Sequence, residues 1–458
     1  LPGEILLQPG ERLVTVVGGG LAGCEAAWQL AARGIDVVLY EMRPARMTPA
    51  HVTGHLAELV CSNSLGSDLA DRAGGLLKAE LRALGSIILA CADETRVPAG
   101  GALAVDRKRF AQAVTDRVQS HPGIRVVRRE VKAIPEGPAV IASGPLTSDV
   151  LASAIAQHAG EDNLAFYDAV APIVSGDSVD MEVAFPASRY GRGGPDYVNC
   201  PMSREEYRIF VDALVRAERI ALRGFESEDA RFFEACLPVE VLASRGPGSL
   251  AFGPLRPTGL TDPRTGRRPH AVVQLRREDM PGTAYNLVGF QTNLRFREQE
   301  RVFRLIPGLE NALFLRYGQM HRNTFVRAPA LLDPYFASDR RSDLQFAGQL
   351  TGTEGYIGSV ASGLMAGVNL AHRLLQLRPL IAPPTTMVGS LTRYVTAAEP
   401  ATFQPMKANF GLLPPLPGSR AGGKRARREA MVARALRDIQ AFAELVGSLR
   451  RHNSDNDA

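Results

Sequence analysis

"RLVTVVGGGLAGCEAAWQLAARGIDVVLYEMRP", residues 12–44, decides the fold. Leu13 to Val17 form a short β-branched apolar run, the pattern of a buried strand. Gly18, Gly20 and Gly23 follow as G-x-G-x-x-G. Residues 21–33 are helix formers, closed by Gly34 at the C′ position. Residues 35–40 read as a second strand, with Glu41 at its tip. Each part has a task in cradling a dinucleotide. Gly18 allows the tight turn. Gly19 and Gly20 let a pyrophosphate approach the backbone, and Gly23 lets helix and strand pack closely. The helix N-terminus faces the phosphates, and Glu41 is placed for ribose hydroxyls. A glycine triplet alone is weak evidence. Strand, turn, helix, second strand and acid together predict a dinucleotide site. The motif lies near the start of the chain and Arg43 follows Glu41, which favours FAD over NAD.

The rest of such a domain is expected downstream. "GPAVIASGPLTS" (137–148) reads as an apolar strand entering a small-residue turn. In residues 344–375 the strand "LQFAG" meets a second glycine turn with Gly348, Gly352, Gly355 and Gly358. There a helix N-terminus can stabilise a reduced flavin. The expected fold is α/β: a two-part FAD-binding Rossmann-like domain of the glutathione-reductase type, with a smaller inserted α+β domain. The expected boundaries are 13–165 and 336–448 for the two parts, the second including a C-terminal helix. The insert covers 166–335, and 449–458 is a disordered tail.

At 458 residues the chain is long enough for two or three domains. It has 45% hydrophobic and 22% charged residues, the balance of a globular protein with a large core. No run of about 18 apolar residues and no basic-then-apolar leader is present, so the expected location is cytoplasmic, with no membrane contact. Five widely spaced cysteines with no CxxC pair argue against a zinc site, a disulfide framework or a paired-thiol redox centre. His51 and His55 have no third ligand nearby, so no metal is expected. A net charge of +5 admits an anionic partner such as RNA without requiring one.

Within the insert, residues 204–222 have helical spacing, with Tyr207, Phe210, Val211, Leu214 and Val215 on one face. Cys236 stands just before Leu237-Pro238, where the proline should break a helix. Near the end, Lys424, Arg425, Arg427 and Arg428 form a basic block at the start of another helix. They read either as a solvated face or as phosphate contacts to nucleic acid. Cys61 in "AELVCSNSLG" (57–66) is, alone, more readily a core residue than a nucleophile.

Laid out in order, "GGGLAGCEAA", "LVCSNSLG", "ACLPVEV", "FGPLRPTGL", "QLRRED", "YNLVGFQT", "GQMHRNT", "FAGQLTGTEGY" and "FQPMKANFGLLPP" resemble the TrmFO family of folate- and FAD-dependent tRNA (uracil-5-)-methyltransferases. The resemblance runs from about residue 13 to about residue 416, and more loosely through the last helix. The length fits better than that of the related, longer MnmG (GidA) flavoproteins. Two positions depart from the pattern: Lys407 where an amide is expected, and Thr353 where an apolar residue is expected.

The resemblance implies methylation of C5 of uridine 54 in the T loop of tRNA, forming ribothymidine. The carbon comes from 5,10-methylenetetrahydrofolate, and FAD is reduced by NAD(P)H. It implies two catalytic cysteines, matching Cys61 and Cys236. Uracil C5 is a poor nucleophile until a thiolate adds at C6, so the chemistry calls for such a thiol. Cys236 is assigned to C6, and Cys61 to the role of base or flavin-site thiol. Sequence order does not rank the two. By the same resemblance His321 stacks on the pterin, Arg276 and Asn293 contact folate or substrate, and Glu354 binds the pterin's amidine edge. Cys24, Cys91 and Cys200 are read as packing. No stable protein partner is evident. The alternatives are a flavin-dependent NAD(P)H oxidoreductase on a small molecule, an MnmG-like wobble-uridine modification, or an RNA-binding module without methyl transfer.

Overall fold

The computed structural model describes residues 13–160, 164–191, 194–220, 237–416 and 423–454. Leu13–Val17 is an inner strand of a six-stranded sheet. It pairs in parallel with Asp36–Tyr40 on one side and with Ala139–Ile141 on the other. Ile124–Val127 and Arg341–Phe346 extend the sheet in the same sense. The short strand Ala337–Ser338 closes one edge antiparallel. The two distant strand–glycine stretches therefore enter the same sheet as the first motif. Strands of such a sheet are covered on both faces, and Val14, Val16, Leu39, Val140, Ile141 and Phe346 are all fully buried. The helices Leu21–Ala31 and Tyr356–Leu374 pack against each other in this first core.

The first glycine turn is sterically fixed. Gly18 has φ +106°, and a Cβ there would lie 2.4 Å from the Ala142 carbonyl oxygen. A Cβ on Gly23 would lie 1.8 Å from the Gly18 carbonyl oxygen. At Gly20 the same position has nothing within 4 Å, so this backbone faces open space.

The chain crosses to a second core through a two-stranded ribbon. Leu164–Val170 leads out, Gln319–Phe325 leads back, and the two pair antiparallel along their length. Between them lies a second six-stranded sheet, antiparallel throughout, with Ala271–Arg277 among its inner strands. That strand alternates as the pleat requires. Ala271, Val273 and Leu275 enter the second core, while Gln274 and Arg276 face the other way. The helix Arg204–Arg216 covers the core face with Tyr207, Phe210, Val211 and Leu214. It begins at a Ser203–Glu206 capping box. It ends at Arg216, short of the expected 222, and Val215 is exposed, one step beyond the buried stripe. Phe325, Val326, Ala328 and Leu331 already belong to the first core, although the expected boundaries assign 166–335 to the insert.

The last helix, Lys424–Ser454, buries Ala435, Ile439, Phe442 and Val446 against the first core. Arg33 ties it down by donating to the Val446 carbonyl at 2.8 Å. It continues past residue 448 to Ser454. No helix among the described residues is long and apolar enough to cross a membrane.

Candidate active site

The carboxyl ends of the parallel strands open on one cleft. Open α/β sheets bind ligands at this end. Gly18, Gly20, Glu41, Arg43, Gly348 and Tyr356 line it. Glu41 is nearly buried, and both its oxygens are engaged. Oε1 accepts from the Arg43 backbone N–H and Nε, each at 3.0 Å. Oε2 accepts from the Gly19 N–H at 3.0 Å and from Arg43 Nη2 at 3.1 Å. Burial pushes this carboxyl up, but the hydrogen bonds and charge of Arg43 outweigh burial and hold it below the usual carboxylate range. A ribose hydroxyl reaching Glu41 must therefore share or displace an Arg43 donor. Arg43 continues to Glu58 at 3.2 Å. His51, on the same cleft, is brought down to about 4 by burial and then by Arg43.

The second glycine turn leads into the helix that begins at Tyr356. Gly348, Gly352 and Gly355 have φ of +80°, +81° and +84°. Thr353 is buried, and its hydroxyl donates to the Gly348 carbonyl at 2.8 Å. That bond satisfies a polar atom where an apolar residue was expected. Glu354, also buried, accepts from Gln349 at 3.1 Å and lies 3.9 Å from the Lys407 ammonium. The unexpected lysine thus faces a carboxylate.

Cys61 is fastened from three directions. The Tyr356 hydroxyl oxygen accepts the N–H groups of Cys61 at 2.9 Å and of Ser62 at 3.1 Å. Arg276, from the inserted sheet, donates to Ser62 Oγ at 2.6 Å and to Asn63 Oδ1 at 2.8 Å. Arg107 donates to the carbonyls of Leu59 and Val60, just ahead of the cysteine. It is itself paired with Glu278 of the insert at 2.8 Å. Arg107, Arg276, Arg316 and Tyr356 all lie within electrostatic reach of Cys61. Burial holds Arg276 and Arg316 below the ordinary guanidinium range. Burial, followed by the charge of Cys61, pushes the Tyr356 phenol up. Three guanidiniums facing one carboxylate, Glu278, can stabilise negative charge that develops beside Cys61.

Of the expected site residues, the cleft glycines, Glu41, Arg43, Cys61 and Arg276 come together in this way. Cys236 lies outside the described residues. Pro238, two positions on, stands at the N-cap of the helix Val239–Ser244, and the stretch ahead of Leu237 lies outside the described residues as well. His321 sits on the connecting ribbon, paired in register with Asp168. Asn293 is bound into the insert: its N–H donates to Glu240 at 2.7 Å and its amide to the Ile220 carbonyl at 3.0 Å. In the basic block, Arg425 pairs with Glu429 and the Arg428 guanidinium lies 5.2 Å from the centre of the Phe410 ring. Arg425 and Arg427 are exposed on the C-terminal helix and Arg428 is half-buried. Cys24, Cys91 and Cys200 are buried, and burial raises their thiols, that of Cys91 to about 11. No cluster of His, Cys, Asp or Glu able to hold a metal occurs among the described residues. Tyr356, Arg107, Arg316 and Glu278 escaped the sequence reading. Only the polar alternation Gln274, Arg276, Glu278 hinted at a working face.

The family model for Glucose inhibited division protein A matches residues 13–378. The methylenetetrahydrofolate--tRNA-(uracil-5-)-methyltransferase TrmFO of Pelotomaculum thermopropionicum is 58% identical over 434 residues, covering 94% of this chain and 99% of that protein. The chain belongs to the TrmFO family. The TrmFO of Listeria innocua is 54% identical over 434 residues, covering 95% of this chain and 99% of that one. Among solved structures, Aquifex aeolicus GidA in its form II crystal aligns with a TM-score of 0.67 at 16% identity, over 96% of this chain and 75% of that chain. Its likeness is one of fold. The TrmFO relatives match this chain in length, whereas GidA is longer.

Proposed function

We propose that this chain is a methylenetetrahydrofolate–tRNA uracil-5-methyltransferase acting on C5 of uridine 54 in the T loop. The carbon comes from 5,10-methylenetetrahydrofolate, and the reductant is FAD that NAD(P)H has reduced. The observation that carries this reading is Tyr356, which lines the dinucleotide cleft and also holds the backbone of Cys61. A thiol is thereby fixed at the edge of a cofactor site, as the chemistry needs. The similarity to TrmFO proteins along nearly the whole chain supports the same reading.

The residues present fit FAD. Open space over Gly20 admits a pyrophosphate, with Gly18, Gly19, Gly23, Glu41 and Arg43 around it. Gly348, Gly352, Glu354 and Gly355 form the turn for the flavin end. Bound FAD, once reduced, supplies the hydride that turns the exocyclic methylene into methyl.

The chain's own residues do the rest. A thiolate, assigned to Cys236, forms an S–C6 bond with uracil, and the electron pair moves toward C5 and O4. C5 attacks the one-carbon unit of the folate. Loss of the C5 proton to a base, assigned to Cys61, and release of tetrahydrofolate leave the exocyclic methylene. After reduction the S–C6 bond breaks and the thiolate returns. Arg276 and Arg107 hold the Cys61 loop in place for this proton transfer. His321 is the proposed contact to the pterin.

Trapping on tRNA containing 5-fluorouridine tests the assignment. Cys61→Ala should still form the covalent adduct and Cys236→Ala should not; the opposite result exchanges the two roles. If the labelled methylene carbon of the folate never appears in 5-methyluridine, the activity itself is refuted.

A further inference from the structure

The face of the inserted sheet that holds Cys61 does not end at Arg276. Gln274, one pleat repeat away, accepts from Arg189 Nε at 2.8 Å. Arg189 then reaches the carbonyls of Arg256 and Thr258, the latter at 3.1 Å. Arg268 donates to Thr258 Oγ1 at 3.1 Å. The strand that holds the Cys61 loop through Arg276 thus also reaches an outer surface, through Gln274 and Arg189. Residues 245–268 there contain five arginines and a single carboxylate, Asp262, which is taken by Arg264.

Two aromatic rings stand on this surface. Phe252 is 90% exposed and Tyr190 is 64% exposed. Tyr190 has φ +60°, a left-handed conformation that a bulky residue adopts at a cost. Its ring lies over Gly259, where an added Cβ would meet it at 3.0 Å. Single exposed apolar side chains are ordinary. Two exposed rings among exposed arginines, one of them held by unfavourable backbone, form instead a stacking and phosphate-binding surface. Unpaired bases stack on such rings, and arginines take the backbone.

We propose that Tyr190, Phe252, Arg256 and Arg268 form a docking surface for the tRNA, with the rings taking unstacked bases and the arginines phosphates. Arg189 is the positioning residue that joins this surface to the sheet face at Cys61. The proposal rests on the tRNA reading above and adds where the RNA lies.

Binding of an unmodified tRNA transcript by the FAD-loaded enzyme tests it, at two salt concentrations, alongside the KM for tRNA in methylation. Tyr190→Ala and Phe252→Ala should each weaken binding by about 5- to 100-fold, while Tyr190→Phe should bind as the wild type does. Arg256→Glu with Arg268→Glu should weaken binding and lower the slope of log affinity against log salt by about 2. Oxidation of NAD(P)H without tRNA should stay at the wild-type rate in all of them, showing that the fold and the flavin site persist. If an active wild type and these variants bind tRNA equally, the surface is wrong while the activity stands. A change in self-association in place of tRNA affinity would also overturn the surface. A wild type that binds no tRNA overturns the surface and the proposed activity together.

Discussion

Arg276→Met isolates what the inserted sheet does for Cys61. Methionine keeps a straight apolar stem and removes the guanidinium. Three bonds are lost: to Ser62 Oγ at 2.6 Å, to Asn63 Oδ1 at 2.8 Å and to Asn286 Oδ1 at 3.3 Å. Each hydrogen bond to a charged group contributes about 1.5–3 kcal/mol. Asn63 and Asn286 are buried, so water does not readily replace the donor. Two terms offset the loss. A guanidinium no longer has to be desolvated, which returns several kcal/mol. Asn63 also keeps its own bonds to the Val105 and Arg277 carbonyls at 2.9 and 2.7 Å. The net loosening of the loop is about 2 kcal/mol, a factor of about 30 in its opening.

The assay is alkylation of Cys61 in a Cys236→Ala background, followed on its peptide by mass spectrometry. Cys24, Cys91 and Cys200 are buried and serve as internal controls. Alkylation of Cys61 should rise several-fold in Arg276→Met. With Cys236 intact, the kcat of tRNA methylation should fall about 30-fold or more while the bound-flavin spectrum is unchanged. Arg276→Lys should lie between the two, because a lysine keeps the charge but not the planar fork. Unchanged alkylation together with methylation within about twofold of wild type would refute this account of the Cys61 loop.

Gly23→Ala places a Cβ 1.8 Å from the Gly18 oxygen, so the turn must move; the purified protein should carry little or no flavin, and normal flavin occupancy would contradict the steric reading. Thr353→Val removes the hydroxyl bond to Gly348 and should cost about 1–2 kcal/mol, read as a lower thermal midpoint and faster flavin release. Glu80 accepts two backbone N–H groups at the start of the helix Met387–Ala397, yet burial raises it to about 8. Its folded value lies above the unfolded 4.5, so the folded state binds more protons between the two. The contribution of Glu80 should therefore be fully present below about pH 4.5 and fall by up to about 1.4 kcal/mol per unit as pH rises toward 8. Glu80→Gln should flatten that slope in urea titrations, at a cost of about 1 kcal/mol for one lost acceptor; an unaltered slope would mean that Glu80 is ionised at neutral pH.

The glycine turn was legible because its causes are local. Gly18 and Gly23 are required by contacts with residues a few places away or on the adjacent strand, and no other residue fits. The parallel strands announced themselves as apolar runs for an equally local reason. Side-chain pairing was less legible. Glu41 is expected to meet ribose hydroxyls, and the sequence does not announce that Arg43, two residues on, fills most of its lone pairs. The resemblance implies a folate or substrate contact at Asn293, and the sequence does not announce that its N–H and amide nitrogen also bond within the insert. The helix from Arg204 ends at Arg216, earlier than its composition suggests, because the chain turns extended at Ala217, which is still buried in the second core. No periodicity in a sequence states which polar atoms find partners inside the fold.

Cys61 shows the same division most clearly. Its neighbourhood is made by Arg276, Arg107, Glu278 and Tyr356, whose separations in sequence reach 295 residues. Each partner sits where its own segment had reason to put it. Arg276 and Glu278 fall on the polar side of a strand whose alternate residues fill the second core. Arg107 starts a helix capped by Asp106, and Tyr356 starts the helix behind the second glycine turn. The fold brings these separately determined ends to one loop, so the Cys61 site can form only when the inserted sheet is docked on the dinucleotide domain. If the insert also carries the RNA surface, a tRNA that pulls on Tyr190 and Arg256 acts on the same strand that holds Cys61. Binding of substrate and placement of the thiol are then coupled through Gln274 and Arg276, and Gln274→Ala should weaken methylation more than it weakens tRNA binding. Equal losses in the two would place Gln274 in docking alone.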